Sequence, residues 1–527
     1  MLLIFPPVAK PCEPPAGIAK LAGALADHGI SSKLLDANLE GMLFLLDQAY
    51  TASDTWTRRA VKHASYNINS IRSSLTYQSL DRYSRVVKDL NRVLEMFDKD
   101  RAVVLGLADY QDMNLSPVRS SDLLLAALHP EQNPFYPWFS TRLSEIMGKS
   151  YFSRMRREIE DRTNEKEREK TSHQLVGFSL NYLSQALCTF SMIGFLKKEF
   201  PSVKIVLGGG LVSSWMKGAG WKNPFSGLVD HLIAGPGEQA LLNLHGITDT
   251  HVHYSPDYES LPLDEYFSPG VILPYSASNG CYWNKCSFCP ETAEANPYIP
   301  VPVNKSLDDL ITLASKTKPV LIHLLDNAIS PALMKAFVHT TPPASWYGFA
   351  RISKDLTEMD FCVALRRSGC IMLKLGLESG NQGVLDQMHK GIDLATASQV
   401  LNNLRRAGIA TYIYLLFGTP AETIVEARKT LEFVVAHREA VTFLNLAIFN
   451  MPLCGPESSR YENEEFYEGD LSLYTGFRHP QGFDRKIVRQ FLENEFKRHP
   501  AISPILRNEP PIFTSNHAAL FSIEKER

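Results

Sequence analysis

Three cysteines, Cys281, Cys286 and Cys289, lie in the stretch Gly280-Cys-Tyr-Trp-Asn-Lys-Cys-Ser-Phe-Cys-Pro290, a Cys-x4-Cys-x2-Cys spacing. Thiolates are soft ligands that suit zinc or iron–sulfur centres. A cube of four irons held by three local cysteines leaves one iron open to a substrate or cofactor. A structural zinc site needs four ligands, usually as two close pairs. The nearest further candidates here are His251 and His253, and there is no second cysteine pair. A disulfide suits an oxidising compartment, whereas the chain begins Met-Leu-Leu-Ile-Phe-Pro-Pro with no basic n-region or cleavage site. The spacing predicts an iron–sulfur cluster, with zinc or inert thiols as the alternatives. The remaining cysteines, Cys12, Cys188, Cys362, Cys370 and Cys454, are expected to act as small buried hydrophobes.

The elements that would position this loop are those of an α/β chain. In the first 41 residues, apolar Leu2 to Phe5, a one-sided helix through Ile18, Leu21, Ala22 and Leu25, and Ser32 to Leu35 read as strand, helix, strand. The alternation resumes at Leu175 to Phe178, a helix from about Gln185 to Phe200, Ile205 to Leu207 ending in Gly208-Gly209-Gly210, and His231 to Ala234 ending in Gly235-Pro-Gly-Glu238. Ligands of doubly wound sheets lie outside the carboxyl ends of strands, where glycine lets backbone approach a bulky group. The alternative for each glycine is a tight strand-to-helix turn.

Residues of about 42–170 are helical in pattern and highly charged, and read as an insertion. Glu160 to Lys170 mixes both charge signs, as a solvated helix end or linker does. Phe135, Tyr136, Trp138 and Phe139 are either core or the lining of a substrate approach. From about Tyr266 to Pro452 strands and helices alternate again: Val271 to Tyr275, Val320 to Leu325, Trp346 to Ile352, Ile371 to Leu377, Thr411 to Phe417 and Phe443 to Phe449. Strict alternation implies parallel pairing. Six units are fewer than the eight of a closed barrel, so a partial (β/α)6 barrel is expected, with chemistry at the carboxyl ends of its strands. The predicted layout is a Rossmann-like doubly wound domain (1–245, insertion about 42–170), the partial barrel (246–452) and a C-terminal region (453–527). That last region is expected to fold over the barrel mouth.

The chain has 527 residues, 44% hydrophobic and 21% charged, with 54 basic against 57 acidic residues for a formal net charge of -3. This is ordinary globular composition, with no global charge for nucleic acid or an acidic membrane surface. No apolar run reaches about 18 residues, so no transmembrane segment is expected, and a cytoplasmic protein is.

The cysteine loop with Phe288 before its last cysteine, Leu375-Gly-Leu-Glu-Ser-Gly-Asn-Gln382 after a middle strand, and Phe417-Gly-Thr-Pro-Ala-Glu-Thr423 after a later one resemble the radical S-adenosylmethionine superfamily. Pro6-Pro7, Glu13-Pro-Pro-Ala-Gly17, Asp36-Ala-Asn-Leu-Glu-Gly41, Phe178-Ser-Leu-Asn-Tyr-Leu-Ser-Gln185, Leu207-Gly-Gly-Gly210 and Gly235-Pro-Gly-Glu238 resemble its subgroup with an N-terminal cobalamin-binding domain. Two departures matter. The usual spacing is Cys-x3-Cys-x2-Cys, one residue shorter. The familiar cobalamin motif is Asp-x-His-x-x-Gly, whereas Asn38 stands at the His position, so no imidazole from this loop ligates cobalt.

The resemblance implies a 4Fe-4S cluster on Cys281, Cys286 and Cys289, and S-adenosylmethionine chelated at the open iron. Electron transfer would yield a 5'-deoxyadenosyl radical that abstracts hydrogen from an unactivated carbon. It implies that Phe288 packs near adenine. Glu378, Ser379 and Gly380 would contact the amino group or ribose, Arg351 the carboxylate, and Tyr414 and Leu416 the adenine. The plain alternative for Glu378 and Arg351 is a surface charge at a strand end. Cobalamin would be met by Asn38, Ser179, Asn181, Gly208, Gly209, Gly235 and Glu238. The function implied is cobalamin-dependent methylation of carbon in a small-molecule, lipid or natural-product substrate, with a reducing partner such as flavodoxin or ferredoxin. The alternatives are radical cyclisation, carbon–carbon coupling or oxidative rearrangement without methyl transfer, and a non-catalytic metal-binding protein. The sequence carries no motif that names the substrate.

Overall fold

The structure is a computed structural model that describes residues 1–48, 50, 54–97, 102–148, 175–218, 220–251, 253–455, 457–464 and 469–523. The chain divides into two compact units. One comprises Met1–Arg72, Arg85–Phe267 and Glu468–Ser472, the other Ser73–Ser84, Ser268–Tyr467 and Leu473–Arg527. Among the described residues no helix is long and apolar enough to cross a membrane. The charged run Glu160 to Lys170 lies outside the described residues.

In the first unit the strands are β1 (Leu2–Phe5), β2 (Lys33–Asp36), β3 (Val103–Leu105), β4 (Tyr110–Asp112), β5 (Leu175–Ser179), β6 (Lys204–Gly208) and β7 (His231–Leu232). Five of them form a parallel sheet in the order β2-β1-β5-β6-β7. Their short apolar runs are buried on both faces, as parallel strands covered by helices must be. The chain passes from β1 to β2 on one side and onward to β5 on the other, so a crevice opens at the carboxyl ends of β1 and β5.

The insertion is not wholly helical, because β3 and β4 pair antiparallel, Val103 opposite Asp112 and Leu105 opposite Tyr110. Strands of three residues are too short to show a period of two in sequence. The insertion covers the helix Leu183–Glu199, which is why that helix is buried without a break from Gln185 to Leu196. Phe135, Trp138 and Phe139 are in this core and line no approach.

In the second unit the strands are β8 (Ile272–Tyr275), β9 (Ser278–Asn279), β10 (Ile299–Pro300), β11 (Leu321–Leu324), β12 (Trp346–Ala350), β13 (Cys370–Glu378), β14 (Ala410–Phe417) and β15 (Phe443–Ile448), followed by β16 (Met451–Pro452), β17 (Asn463–Glu464) and β18 (Tyr474–Phe477), which form a small sheet of their own. A six-stranded parallel sheet runs β15-β14-β13-β12-β11-β8, with helices between successive strands and its two ends left as edges. This is the open partial barrel that six units predict.

The tail divides between two ends of this sheet. Val488 packs against Gly418, Arg485 donates to the Phe449 carbonyl at 3.1 Å, and His479 Nε2 lies 2.9 Å from the Thr419 carbonyl, all at the carboxyl end. Glu509 instead accepts from Tyr412 Oη at 2.5 Å, near the start of β14. Residues 509–517 therefore lie at the end opposite the mouth. The His517 ring meets Tyr77 and Tyr83 edge-on, and Tyr83 Oη sits 2.8 Å from His517 Nδ1.

Candidate active site

β8 delivers the chain into the cysteine loop, and Asp326 just after β11 secures the entry by accepting from the Ala277 N–H at 3.1 Å and from Ser278 Oγ. Burial raises the Asp326 carboxyl above its ordinary range, while these hydrogen bonds act the other way. The loop is closed by the antiparallel pair β9–β10. Gly280 turns between them with φ of 72°, and an added Cβ would lie 2.3 Å from the Pro297 carbonyl oxygen. The Cys289 N–H donates to the Cys286 carbonyl at 3.2 Å, a tight turn that keeps the second and third cysteines together.

Cys286 is buried, and Cys281 and Cys289 are half-buried. Burial pushes the Cys286 and Cys289 thiols up; at Cys286 the cations Lys390 and Arg351 oppose this. Soft, enclosed thiols beside two cations match an anionic iron–sulfur centre, which deprotonates its ligands on binding. Among the described residues no three His, Cys, Asp or Glu side chains gather tightly enough for a single metal ion. A cube makes no such demand, since each cysteine binds a different iron. His251 is engaged by Asp249, Nδ1 to Oδ1 at 2.7 Å. Cys12, Cys188, Cys362 and Cys370 are buried as expected, whereas Cys454 is exposed.

The inner face of the sheet is where the chain leaves its strands open. On β12 and just beyond, Phe349 and Arg351 are partly accessible; so are Gly376 and Glu378 on β13, Tyr414 and Leu416 on β14, and Asn445 on β15. The register places Gly376 beside Tyr414 and Tyr414 beside Asn445, and the Phe349 and Tyr414 rings meet at 4.9 Å. Arg351, Glu378, Tyr414 and Leu416 therefore share one concave face. Tyr414 is pushed above its usual range by burial and then by the charges of Glu509 and Glu378.

Glu378 has φ of 66°, a bulge separates it from Gly376, and its Oε1 folds back over Gly376, where an added Cβ would lie 2.5 Å from it. It pairs with Lys390, Nζ to Oε1 at 2.8 Å, with both side chains nearly buried, 10% and 12% exposed. Lys390 Nζ also lies 5.4 Å from the centre of the Phe288 ring, and Phe288 packs on Val384, Leu385 and Met388. Ser379 and Gly380 play a different part. Ser379 Oγ lies 3.2 Å from Thr430 Oγ1, and the Gly380 N–H donates to that same oxygen at 2.9 Å, so both fasten the end of β13 to the helix Ile424–Ala436.

Sequence reasoning missed Lys390, Trp283 and a buried pair lower in the sheet, Lys374 Nζ and His323 Nε2 at 3.0 Å. Lys374 had a visible signal, a lone charge inside the apolar run Ile371 to Leu377.

Glu422, after β14, is fully buried; its Oε2 accepts from the Gly418 N–H at 2.7 Å, and burial pushes its carboxyl up to about 8. The folded state then holds a proton that the unfolded chain, with the ordinary value of 4.5, has released. Stability therefore falls as pH rises from about 4.5 to about 8. Glu422→Gln keeps an acceptor for Gly418 and cannot ionise. Thermal melts across this range are expected to show a shallower decline for the variant; parallel curves would contradict the assignment.

In the first unit, Asn38 is buried and its Oδ1 accepts from the Ala9 N–H at 2.8 Å, cinching the loop after β1. Asp36 caps the following helix through the Leu39 N–H and accepts from Tyr266 Oη at 2.7 Å; burial raises it to about 6. Asn181 ties strand ends together, its Oδ1 accepting from the Gly210 N–H at 3.0 Å and its Nδ2 lying 3.1 Å from Ser179 Oγ. The Gly235 N–H donates to Ser213 Oγ at 2.8 Å, and Glu238 pairs with Lys20 at 2.8 Å. Ser179, Asn181, Gly208, Gly209 and Gly235 thus gather along one edge of the sheet, where Gly210 and Gly235 are exposed. Asn38 and Glu238 are buried and held by other partners, Ala9 and Lys20. An open, glycine-rich edge without an imidazole fits a large flat ligand held chiefly by backbone contact.

No family profile matches the chain. It is 23% identical over 188 residues, 34% of its length, to an uncharacterized methyltransferase of Pyrococcus horikoshii, covering 40% of that protein. It is 26% identical over 174 residues, 32% of its length, to the bacteriochlorophyllide d C-12(1)-methyltransferase of Chlorobaculum tepidum, covering 38% of that protein. The matched stretches span about two fifths of these curated relatives. Among solved structures, the radical S-adenosylmethionine methyltransferase TsrM from Kitasatospora setae, with tryptophan substrate and aza-SAM bound, matches at TM-score 0.50 and 15% identity. That match covers 85% of this chain and 73% of that one. Another structure of TsrM, with cobalamin and a [4Fe-4S] cluster bound, gives 0.49. With a 2-1-5-6-7 parallel sheet in one unit and an open six-stranded barrel in the other, the chain has the fold of that radical S-adenosylmethionine methyltransferase.

Proposed function

We propose that the chain is a radical S-adenosylmethionine enzyme that methylates an unactivated carbon of a small molecule, with cobalamin as the methyl carrier. The observation that carries this reading is the placement of Cys281, Cys286 and Cys289 in a loop whose cationic neighbours, Arg351 and Lys390, border the accessible inner face of the sheet. When bound, the cluster supplies the electron that splits S-adenosylmethionine, and the corrin supplies the methyl group.

The remaining work belongs to the chain's own residues. The three thiolates would hold the cluster through one iron each. Arg351 and Glu378 would orient the methionyl carboxylate and ammonium by charge-assisted hydrogen bonds. Phe288, Tyr414 and Leu416 would offer apolar surface to the adenine and keep water from the reacting carbon. Ser179, Asn181, Gly208, Gly209 and Gly235 would receive the corrin in the first unit, with Asn38 and Glu238 shaping the loops around it. The substrate is expected to be a small molecule, lipid or natural product, and the electron to come from a flavodoxin or ferredoxin.

Asn38, engaged with Ala9 instead of offering an imidazole, motivates a second reading in which the radical cyclises, couples or rearranges the substrate without methyl transfer. Protein produced with cobalamin separates the two. The first reading predicts a corrin bound in a one-to-one ratio and carriage of its isotopically labelled methyl group into product. A corrin-free protein that still forms 5'-deoxyadenosine would establish the second.

A further inference from the structure

The cysteine loop has one residue more between its first two cysteines than the usual spacing, and the structure gives that length a use. Asn284 adopts a left-handed φ of 42°, and its side chain donates to the Asn296 carbonyl at 3.4 Å. The preceding residue, Trp283, is half-buried and reaches across to the segment that follows β13. Its Nε1 donates to the His389 carbonyl at 3.2 Å, 106 residues away in sequence. Gly391, with φ of 65°, lies directly under the indole, and a Cβ there would come within 2.1 Å of a ring carbon. The Arg351 guanidinium lies over the same ring, 4.1 Å from its centre, and its Nη2 donates to the Lys390 carbonyl at 2.6 Å. Lys285 Nζ is 5.0 Å from that ring.

From this geometry we infer that Trp283 is a positioning residue: it holds the Arg351 guanidinium at the cysteine loop in an orientation that receives the carboxylate of S-adenosylmethionine. The inference rests on the proposed function and adds a residue to it. An arginine on a strand end has several rotatable bonds, and a carboxylate binds it strongly only when its planar fork is already aligned. The indole face fixes the plane by cation–π stacking, and the Lys390 carbonyl fixes one edge, leaving the rest of the fork for the ligand. The indole itself is fixed by a hydrogen bond and by a glycine that permits its close approach. The longer loop and Gly391 therefore form one device, contributed by two segments distant in sequence.

The test is the affinity of the anaerobic, cluster-loaded protein for S-adenosylmethionine, read by equilibrium dialysis with the cluster left oxidised so that no cleavage occurs. Trp283→Ala is expected to bind about tenfold more weakly, the scale of a partly desolvated cation–π contact, with iron and sulfide content unchanged. Trp283→Phe should recover most of that loss. Gly391→Ala, which displaces the indole, should weaken binding as Trp283→Ala does. In an Arg351→Ala background, Trp283→Ala should cost nothing further, since both act through one group. Unchanged affinity in Trp283→Ala, an additive loss in the double variant, or parallel loss of iron and sulfide in Trp283→Phe would each overturn the inference. Failure of the cluster-loaded parent protein to bind S-adenosylmethionine at all would refute the proposed function, and the inference with it.

Discussion

Cys286→Ala is expected to abolish iron–sulfur binding while leaving the fold in place. Cys286 is buried, whereas Cys281 and Cys289 are half-buried. Removing one sulfur from a buried site costs about 1 kcal/mol in packing, well within the stability of a domain. Removing one of three thiolates leaves a cube with two protein ligands and two exposed irons. Iron and acid-labile sulfide after anaerobic reconstitution should fall to background, with loss of the brown charge-transfer absorbance. Cys362→Ala is the control, because Cys362 lies outside the loop, in the helix Met359–Arg367, where burial holds its thiol up at about 11. It should retain the full complement of iron. Full iron in Cys286→Ala would refute the ligand assignment.

The second large effect is expected at Glu378. Its pairing with Lys390 at 2.8 Å lies in a nearly buried setting, so Glu378→Ala leaves an ammonium without its carboxylate. Breaking a buried pair from one side costs about 3–5 kcal/mol, more than the pair itself contributes. Anaerobic denaturant unfolding of Glu378→Ala should show a loss of that order. Adding Lys390→Met should restore much of it, since the stranded charge is then gone. S-adenosylmethionine binding should not return in the double variant, because the carboxylate that would meet its ammonium is still missing. An unfolding midpoint equal to that of the parent protein would show that the pair is solvated and would remove the basis for this prediction.

The parts legible in sequence were those with a local signature. Apolar runs such as Leu2 to Phe5 and Leu175 to Phe178, bounded by glycine, proline or asparagine, can form little but buried strands, so the parallel sheets followed from them. Arg351, Glu378, Tyr414 and Leu416 were readable because strand ends with alternating side chains must present a shared face. Pairings across long sequence separations were not readable. Trp283 under Arg351 and over Gly391, and Lys390 against Glu378, exist only once β12, β13 and the cysteine loop are side by side. Asn38 had the right place in its motif, yet its bond to Ala9 depends on how the loop after β1 folds back. Ser379 and Gly380 sat beside Glu378 in sequence, but the bulge at the end of β13 sends them to Thr430 instead of the open face. The β3–β4 hairpin was hidden by its brevity.

The central claim is that the thiols of Cys281, Cys286 and Cys289 carry a reactive cluster with an open iron. The most direct measurement is metal and sulfide analysis of protein reconstituted without oxygen, followed by incubation with S-adenosylmethionine and dithionite. Iron and sulfide in equal amounts and steady release of 5'-deoxyadenosine are expected. Stoichiometric zinc with no sulfide, and S-adenosylmethionine recovered intact, would contradict the claim.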